Sequence, residues 1–478
     1  MLFNSLDFAI FLPIVFILYW FVTQKNWRLQ NGLIVLASYV FYGWWDWRFL
    51  SLLFFSSMVD YVAGLAMMKE QQQRRRKWYL FISIACNLGL LGFFKYYNFF
   101  IESFTTAFSF LGTPFHAGTL YIILPVGISF YTFQSLSYGI DVYRRKLEPT
   151  RDPIAFLAFV SFFPQLVAGP IERATHLLPQ FQKARTFEYS KAVDGMRQIL
   201  WGLFKKMVIA DNCGQFADQI FSQSGSYSGS TLLLGAFFFA MQIYGDFSGY
   251  SDMAVGLSRL FGFDLMQNFS FPYFSRNVAE FWRRWHISLS TWFRDYLYIP
   301  LGGNKKGRSK TIRNTFITFL VSGLWHGAHL KYLAWGGLHA LYMLPHLLKN
   351  KTAKKETAIA AGKLIPGWKE GFSILLTFLL VVLAWIFFRA NSLADANQIY
   401  SEIFSSSFFT IPEVLPKKIF LLLVFFLLIE WLGRHSFYAI EKTGSKGPVW
   451  IRWAFYYLIV LLIFSEGGRT QPFIYFQF

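Results

Sequence analysis

The sequence predicts an all-α polytopic membrane protein, and three observations carry that reading. Hydrophobic residues make up 55% of the chain and aromatic residues 21%, while only 15% are charged. A soluble domain of 478 residues needs far more charge on its surface than this. The apolar residues come in long runs, with room for about ten or more spans of roughly 20 residues each. The basic residues, which give a net charge of +19, sit mostly in short loops between those runs. That is how cytoplasmic membrane loops are built. It is not how a nucleic-acid-binding face is built, so lipid is an expected partner and nucleic acid is not.

The first five apolar runs fall at about 8–22, 31–47, 49–67, 78–101 and 119–143. The first lacks a basic flank and a small-residue cleavage site, so it reads as a retained span. Loop charge then alternates. Lys25 and Arg28 follow the first run, a nearly neutral 43–48 follows the second, and Lys69, Arg74, Arg75, Arg76 and Lys77 follow the third. The loop 102–118 has no Lys or Arg, whereas the next holds Arg144, Arg145, Lys146 and Arg151. The positive-inside rule therefore places the N-terminus outside and the basic loops in the cytoplasm.

The run 153–171 breaks the alternation, because basic loops flank it on both sides. It contains Pro164, Gly169 and Pro170. Such residues leave backbone groups unsatisfied in a regular span. A re-entrant or interfacial segment, entered from the cytoplasm and buried in protein, is expected here; a kinked span is the alternative. Runs at 196–221 and 230–262 follow, joined by an uncharged connector suited to the outside. The second holds Tyr244, Asp246, Ser248, Tyr250, Ser251 and Asp252. These groups are costly in hydrocarbon and should face the protein interior. Their expected partners are one another, the backbone, or Arg276, Arg283 and Arg284.

The basic turn 302–313 belongs in the cytoplasm. The run 314–348 is long enough for two segments, with His326 near the middle of the first and a bend near His329–Lys331. A basic loop at 349–369 precedes spans at about 372–390, 418–434 and 450–466. The linker 391–416 is expected outside, and the tail 472–478 is aromatic. No internal repeat or separable soluble domain is visible, so residues 1–478 read as a single integral-membrane domain. Cys86 and Cys213 have no ligand spacing around them. Neither a disulfide framework nor a metal site is expected.

Two stretches carry chemistry. In 280–296, Trp282, Trp285, Leu289, Trp292 and Tyr296 fall on one face of a single helix. Arg283, Ser290 and Arg294 lie on one polar flank, and Arg284, Thr291 and Asp295 on the other. His286 borders the aromatic stripe. A basic interfacial anchor and a functional site both fit this pattern, and its arginines suit the phosphates of an anionic donor. In 323–329, His326 and its neighbour Trp325 sit in an apolar run with small residues on either side. A lone histidine on an apolar face is usually a hydrogen-bonded core residue, but an ionisable group within a membrane segment tends to be functional, so both readings stand here. The reaction such a histidine suits is acyl transfer, with imidazole taking the proton of an acceptor hydroxyl that attacks a thioester. His116, His176, His329, His339, His346 and His435 lie in loops, at bends or near span ends, outside the expected chemistry. No serine elbow G-x-S-x-G is present in the required context.

Taken together, the blocks 124–131, 163–171, 246–253, 280–296 with 301–303, and 322–328 resemble the membrane-bound O-acyltransferase family. Phe-Trp-Arg-Arg-Trp-His at 281–286 and Trp-His-Gly at 325–327 are the specific parts, and the blocks recur in family order across most of the chain. The ending 475–478 is similar to the branch that acetylates alginate. The resemblance implies a ring of about 11 transmembrane helices, with re-entrant or interfacial helices around a central funnel. It implies that His326 is the catalytic histidine and His286 the second histidine near the reaction path. Arg283, Arg284, Ser290, Arg294, Trp325 and Asp246 are candidates for the donor and acceptor path. No bound cofactor is implied, but a cytoplasmic acetyl-coenzyme A or acyl-carrier thioester is the implied donor. The implied setting is a bacterial cytoplasmic membrane, with periplasmic SGNH-type acetyltransferases and polysaccharide export machinery as partners. Relatives acetylate different polymers, and one branch moves D-alanine for teichoic acids. A transporter or flippase of an anionic substrate is the reading from another class.

Overall fold

In a computed structural model, residues 1–110, 118–348, 358–443, 448–467 and 471–474 are described, and among them there is no strand. His116, the tail 475–478 and the 349–357 part of the basic loop lie outside the described residues. The chain divides into two compact units, Met1–Gly195 with Leu257–Met266, and Met196–Gly256 with Gln267–Phe478. Five helices among the described residues are long and apolar enough to cross a membrane by length and composition. The chain is an all-α, multi-pass membrane protein.

The first unit begins with α1 (Leu6–Ile17), capped by Ser5, whose hydroxyl accepts from Phe8 N. A wider π-helical turn extends it to Val22. Helices α2 (Trp27–Asp46) and α3 (Leu50–Lys69) follow. Next, α4 (Gln73–Leu91) passes through a π-helical turn into α5 (Tyr97–Phe110). The run expected at 119–143 is helical only as α6 (Ile128–Tyr143). Pro125 disfavours helix in the residue before it, and Gly127 takes a left-handed φ of 75°. Tyr42 fixes this entry by donating to the Val126 carbonyl at 2.9 Å.

The segment after α6 is broken, as the prolines predict. It forms α7 (Pro153–Ser161), a single turn α8 (Phe163–Leu166), irregular backbone, and the short α9 (Ala174–Leu177). Phe156, Phe159, Phe162 and Phe163 are fully buried. The freed backbone groups find partners inside the protein, as they must away from water. Ser38 Oγ accepts from Phe163 N at 3.1 Å, and Gln134 and Gln165 both donate to the Phe159 carbonyl. Rings of Phe8, Phe11, Phe41 and Phe261 pack around Phe163.

Into the second unit runs α10 (Tyr189–Phe204), which passes through a π-helical stretch (Lys205–Ala210) into α11 (Asp211–Ser222). The 32-residue α12 (Gly229–Leu260) carries the aspartate-rich motif. Two seven-residue helices, α13 (Val278–Arg284) and α14 (Ile287–Phe293), follow. Then come α15 (Arg308–His326), α16 (Leu330–Leu348), α17 (Trp368–Arg389), α18 (Leu393–Ile403), α19 (Lys417–Gly433) and α20 (Val449–Glu466).

Two expectations change here. The 280–296 stretch is not one helix, because the chain turns sharply at Trp285–His286, where His286 has φ 44° and ψ 55°. The one-face wheel therefore does not hold across the break. His326 is also not mid-helix. It is the last residue of α15, because Gly327 adopts an extended backbone and ends the helix.

Helices α15 and α16 meet backbone to backbone. A Cβ on Gly323 would lie 2.2 Å from the Tyr332 carbonyl oxygen, and one on Gly336 would lie 2.3 Å from that of Phe319. Only glycine permits this approach. Gly336→Ala is expected to push the helices apart at a cost of about 1–3 kcal/mol. The measurement is the thermal unfolding midpoint in detergent, and an unchanged midpoint would refute the contact.

Candidate active site

His326 closes α15 against an aromatic wall. Its ring meets the rings of Trp325, Trp335 and Phe388 edge to face, with centroids 4.8, 5.1 and 5.1 Å away. The imidazole is buried. Trp335 lies on α16 and Phe388 at the end of α17. Lys331, just after the bend, donates to the Ala390 carbonyl at 2.6 Å and to the Phe388 carbonyl at 3.3 Å. One lysine thus ties the start of α16 to the end of α17 and sets two walls of the cage.

His286 also neighbours Trp325, with ring centroids 6.0 Å apart. It is fully buried, and its Nδ1 lies 3.0 Å from Asn268 Oδ1. Asn268 also donates to Ser251 Oγ at 3.1 Å, which orients the amide. Its Oδ1 accepts from Ser288 Oγ at 2.9 Å, and its carbonyl accepts from Ile287 N at 2.9 Å. An amide oxygen only accepts, so Nδ1 carries the proton and Nε2 keeps its lone pair. Burial pushes the His286 pKa down to about 3, so the ring is neutral at any physiological pH. The same Asn268 contacts hold the left-handed turn at His286, which ordinary residues adopt at a cost.

A cavity of about 420 Å³ opens among α13, α14, α15 and α16, and neither His286 nor His326 is among the described residues lining it. Trp282, Arg283, Ser290, Arg294, Ser322 and His346 are among the residues lining it. Arg283, Ser290 and Arg294, expected on one polar flank, are therefore brought together, despite the break in the helix. Ser322 precedes His326 by four residues in α15, so the cavity wall is about one helical turn, ~6 Å, from the histidine.

The other candidates do different work. Arg284 donates to Glu280 at 2.9 Å and to the Ser270 carbonyl at 3.1 Å. Arg276 grips the same carboxylate at 2.9 Å. Burial acts to raise the Glu280 carboxyl, but the two guanidiniums outweigh it and hold it below its usual range. Arg284 is thus a brace for the 270–284 segment.

Asp246 points into a buried charge network rather than toward Arg276, Arg283 or Arg284. Lys206 Nζ lies 2.9 Å from Asp246 and 2.8 Å from Asp211, and donates to the Gln471 carbonyl at 3.0 Å. Asp246 also accepts from Ile474 N at 2.6 Å. Asp252 pairs with Lys205 at 2.5 Å, and Glu430 accepts from Tyr244 and Trp201. The expectation of internal pairing holds, but the cations are lysines of the π-helical stretch 205–210. The signal was present as two lysines inside the 196–221 apolar run.

Two further histidines take part in the architecture. His346 lines the cavity, and His339 accepts from Trp282 Nε1 at 3.2 Å, holding one cavity wall. Trp335, His339 and His346 are spaced four and seven residues apart on α16, a one-face pattern that points them at α15.

Replacing Lys206 by methionine leaves Asp211 and Asp246 buried without their shared cation. The expected loss is about 3–5 kcal/mol of stability, and the Lys206→Met, Asp246→Asn double variant should recover part of it. Equal stability of the wild type and the single variant, measured by thermal unfolding, would refute the network.

The chain was compared with known proteins. Residues 147–388 match the model of the membrane-bound O-acyltransferase family. A probable alginate O-acetylase of Pseudomonas putida is 38% identical over the whole of both chains. A peptidoglycan O-acetyltransferase of Helicobacter pylori is 36% identical over 84% of this chain and 79% of its own. A teichoic acid D-alanyltransferase of Bacillus subtilis is 30% identical over 56% of this chain and 69% of its own. With a buried histidine one helical turn along α15 from a residue of an arginine-lined cavity, and a family match that takes in both, the chain is an O-acyltransferase and belongs to the membrane-bound O-acyltransferase family.

Proposed function

We propose that the protein passes acetyl groups from a cytoplasmic thioester donor across the bacterial cytoplasmic membrane for O-acetylation of an exported polysaccharide such as alginate. Full-length likeness to a probable alginate O-acetylase supports acetyl transfer over D-alanyl transfer, for which the likeness spans little more than half of the chain. The observation that carries the mechanism is the position of His326, buried one helical turn from the arginine-lined cavity.

In this reading, Arg283 and Arg294 hold the phosphates of the donor, acetyl-coenzyme A or an acyl-carrier thioester, by charge-assisted hydrogen bonds. Ser290 lies between them on the cavity wall. His326 takes the proton from the acceptor hydroxyl as that oxygen attacks the thioester carbonyl. The carbon–sulfur bond breaks, and the departing thiolate recovers the proton from the imidazolium. The aromatic cage excludes water, which would otherwise hydrolyse the thioester. His286, fully buried, acts as the second histidine of the path by packing on Trp325, which also contacts His326.

The wider setting belongs to the same proposal. The two compact units serve a single acyltransferase domain over residues 1–478. About 11 helices form a ring around a funnel, the N-terminus faces the periplasm, and 153–171 enters from the cytoplasm. Periplasmic SGNH-type acetyltransferases receive the acetyl group alongside the polysaccharide export machinery. The loop-charge alternation and the buried, broken α7–α9 segment support this arrangement.

His326→Ala is expected to lower transfer from labelled thioester in membrane vesicles by about 10²–10⁴-fold while insertion is unchanged. Retained transfer would sink the assignment, and movement of intact substrate without a thioester would favour a flippase. Arg283→Gln and Arg294→Gln should each raise the donor KM about tenfold or more and leave kcat nearly unchanged. A fall in kcat at constant KM would instead place these arginines at the reacting centre.

A further inference from the structure

The first unit contains a second buried carboxylate centre, far simpler in composition than the lysine network. Asp60 of α3 is 1% exposed. Its carboxylate accepts from Ser83 Oγ at 2.5 Å and from Asn87 Nδ2 at 2.9 and 3.0 Å, both on α4. Ser135 of α6 turns its hydroxyl toward the same carboxylate, outside direct hydrogen-bond geometry. Tyr138, one turn on, faces it too. Helices α3 and α4 are both among those able to cross a membrane.

Three oxygens on the residues that surround this carboxylate are buried without a hydrogen-bond partner within the protein: Asn87 Oδ1, Ser135 Oγ and Tyr138 Oη. All three residues are at most 1% exposed. Buried polar atoms are normally satisfied, so such a concentration needs an explanation. The backbone makes room for it. A Cβ on Gly64 would lie 2.5 Å from the Tyr138 hydroxyl oxygen, and one on Gly139 would lie 3.1 Å from Ser83 Oγ.

No lysine, arginine or histidine forms an ion pair with Asp60 among the described residues. Arg76, the buried cation of α4, donates to the Val142 and Tyr143 carbonyls. The titratable groups facing Asp60 are Tyr138 and, beside it on α4, Cys86. Tyr61 on α3 donates instead to the Arg151 carbonyl, and α7, which packs on α3, has no titratable residue. A carboxylate buried among uncharged groups is stabilised either by taking up a proton, which removes its charge, or by a cation that pairs with it. Hard oxygen donors of this kind suit a small monovalent cation, either a proton or sodium.

We propose that Asp60, Ser83, Asn87, Ser135 and Tyr138 form a binding site for a small monovalent cation, a proton or Na⁺, which is exchangeable and independent of the acyl-transfer site. Asp60 supplies the charge and the uncharged oxygens supply the remaining coordination or hydrogen bonds. When the site is occupied, α3, α4 and α6 enclose a neutral centre.

The test uses the full-length protein in detergent, with a hydrophobic carbodiimide that modifies protonated carboxyls in apolar surroundings. Mass spectrometry should find the label on Asp60 at pH 6, several-fold less at pH 9, and none in Asp60→Asn. If sodium is the ion, sodium chloride should suppress labelling at fixed pH where choline chloride does not. It should also raise the unfolding midpoint of the wild type but not of Asp60→Asn. If only the pH dependence appears, the ion is the proton. Labelling that does not change with pH or sodium would show a permanently protonated carboxyl acting as internal glue, and would overturn the proposal. So would absence of labelling together with unfolding midpoints that respond to neither pH nor sodium differently in the wild type and Asp60→Asn.

Discussion

The interior of the second unit depends on a lysine ammonium held between two buried carboxylates. Lys206 joins Asp211 on its own helical run to Asp246 on α12, and also reaches the Gln471 carbonyl. One side chain therefore ties the 205–211 stretch, the middle of α12 and the 471–474 segment to a single point. An uncompensated charge there costs several kcal/mol, so these three parts are held in register. The π-helical turn at Lys205–Ala210 is part of the same constraint. It presents adjacent lysines inward, to Asp252 and to the Asp211–Asp246 pair, within one turn. Such turns recur at functional sites because they redirect side chains that a regular helix would carry past.

On this frame the histidines are placed by two different kinds of force. His286 is held by hydrogen bonds, through Asn268, which serves its Nδ1 and the backbone after it. His326 is placed by packing. Gly323 and Gly336 let α15 and α16 touch, and the rings of Trp335 and Phe388 then box the imidazole. The indole of Trp325 neighbours both histidines. Changes in packing near α15 should therefore be felt at the reacting histidine more than at its neighbour.

Much of this was legible in the chain. Apolar runs located most of the long helices because membrane burial leaves a strong compositional signal. The prolines of 164 and 170 disclosed the broken segment, since proline has a definite backbone consequence. What escaped was set by tertiary contacts. The break at His286 has no glycine or proline to announce it, because the left-handed turn is enforced from a distance by Asn268. The short helical part of 119–143 was hidden because the non-helical residues before Gly127 are even more apolar than those of the helix after it. Asp246 was recognised as needing an internal partner, but arginines drew attention by their number, while the partner was a lysine concealed in an apolar run.

The paired arginines at 283 and 284 show why a motif does not divide by residue type. Successive residues on a helix leave it about 100° apart, so adjacent side chains start out in different directions. Arg284 turns to Glu280 and the Ser270 carbonyl, and Arg283 turns to the cavity. Loss of the first leaves Glu280 buried with Arg276 as its remaining brace, so it acts on the fold. Loss of the second alters the charge that a donor phosphate meets, so it acts on binding. Chemically identical neighbours therefore belong to different links of the chain from sequence to function, and the direction each side chain takes decides which.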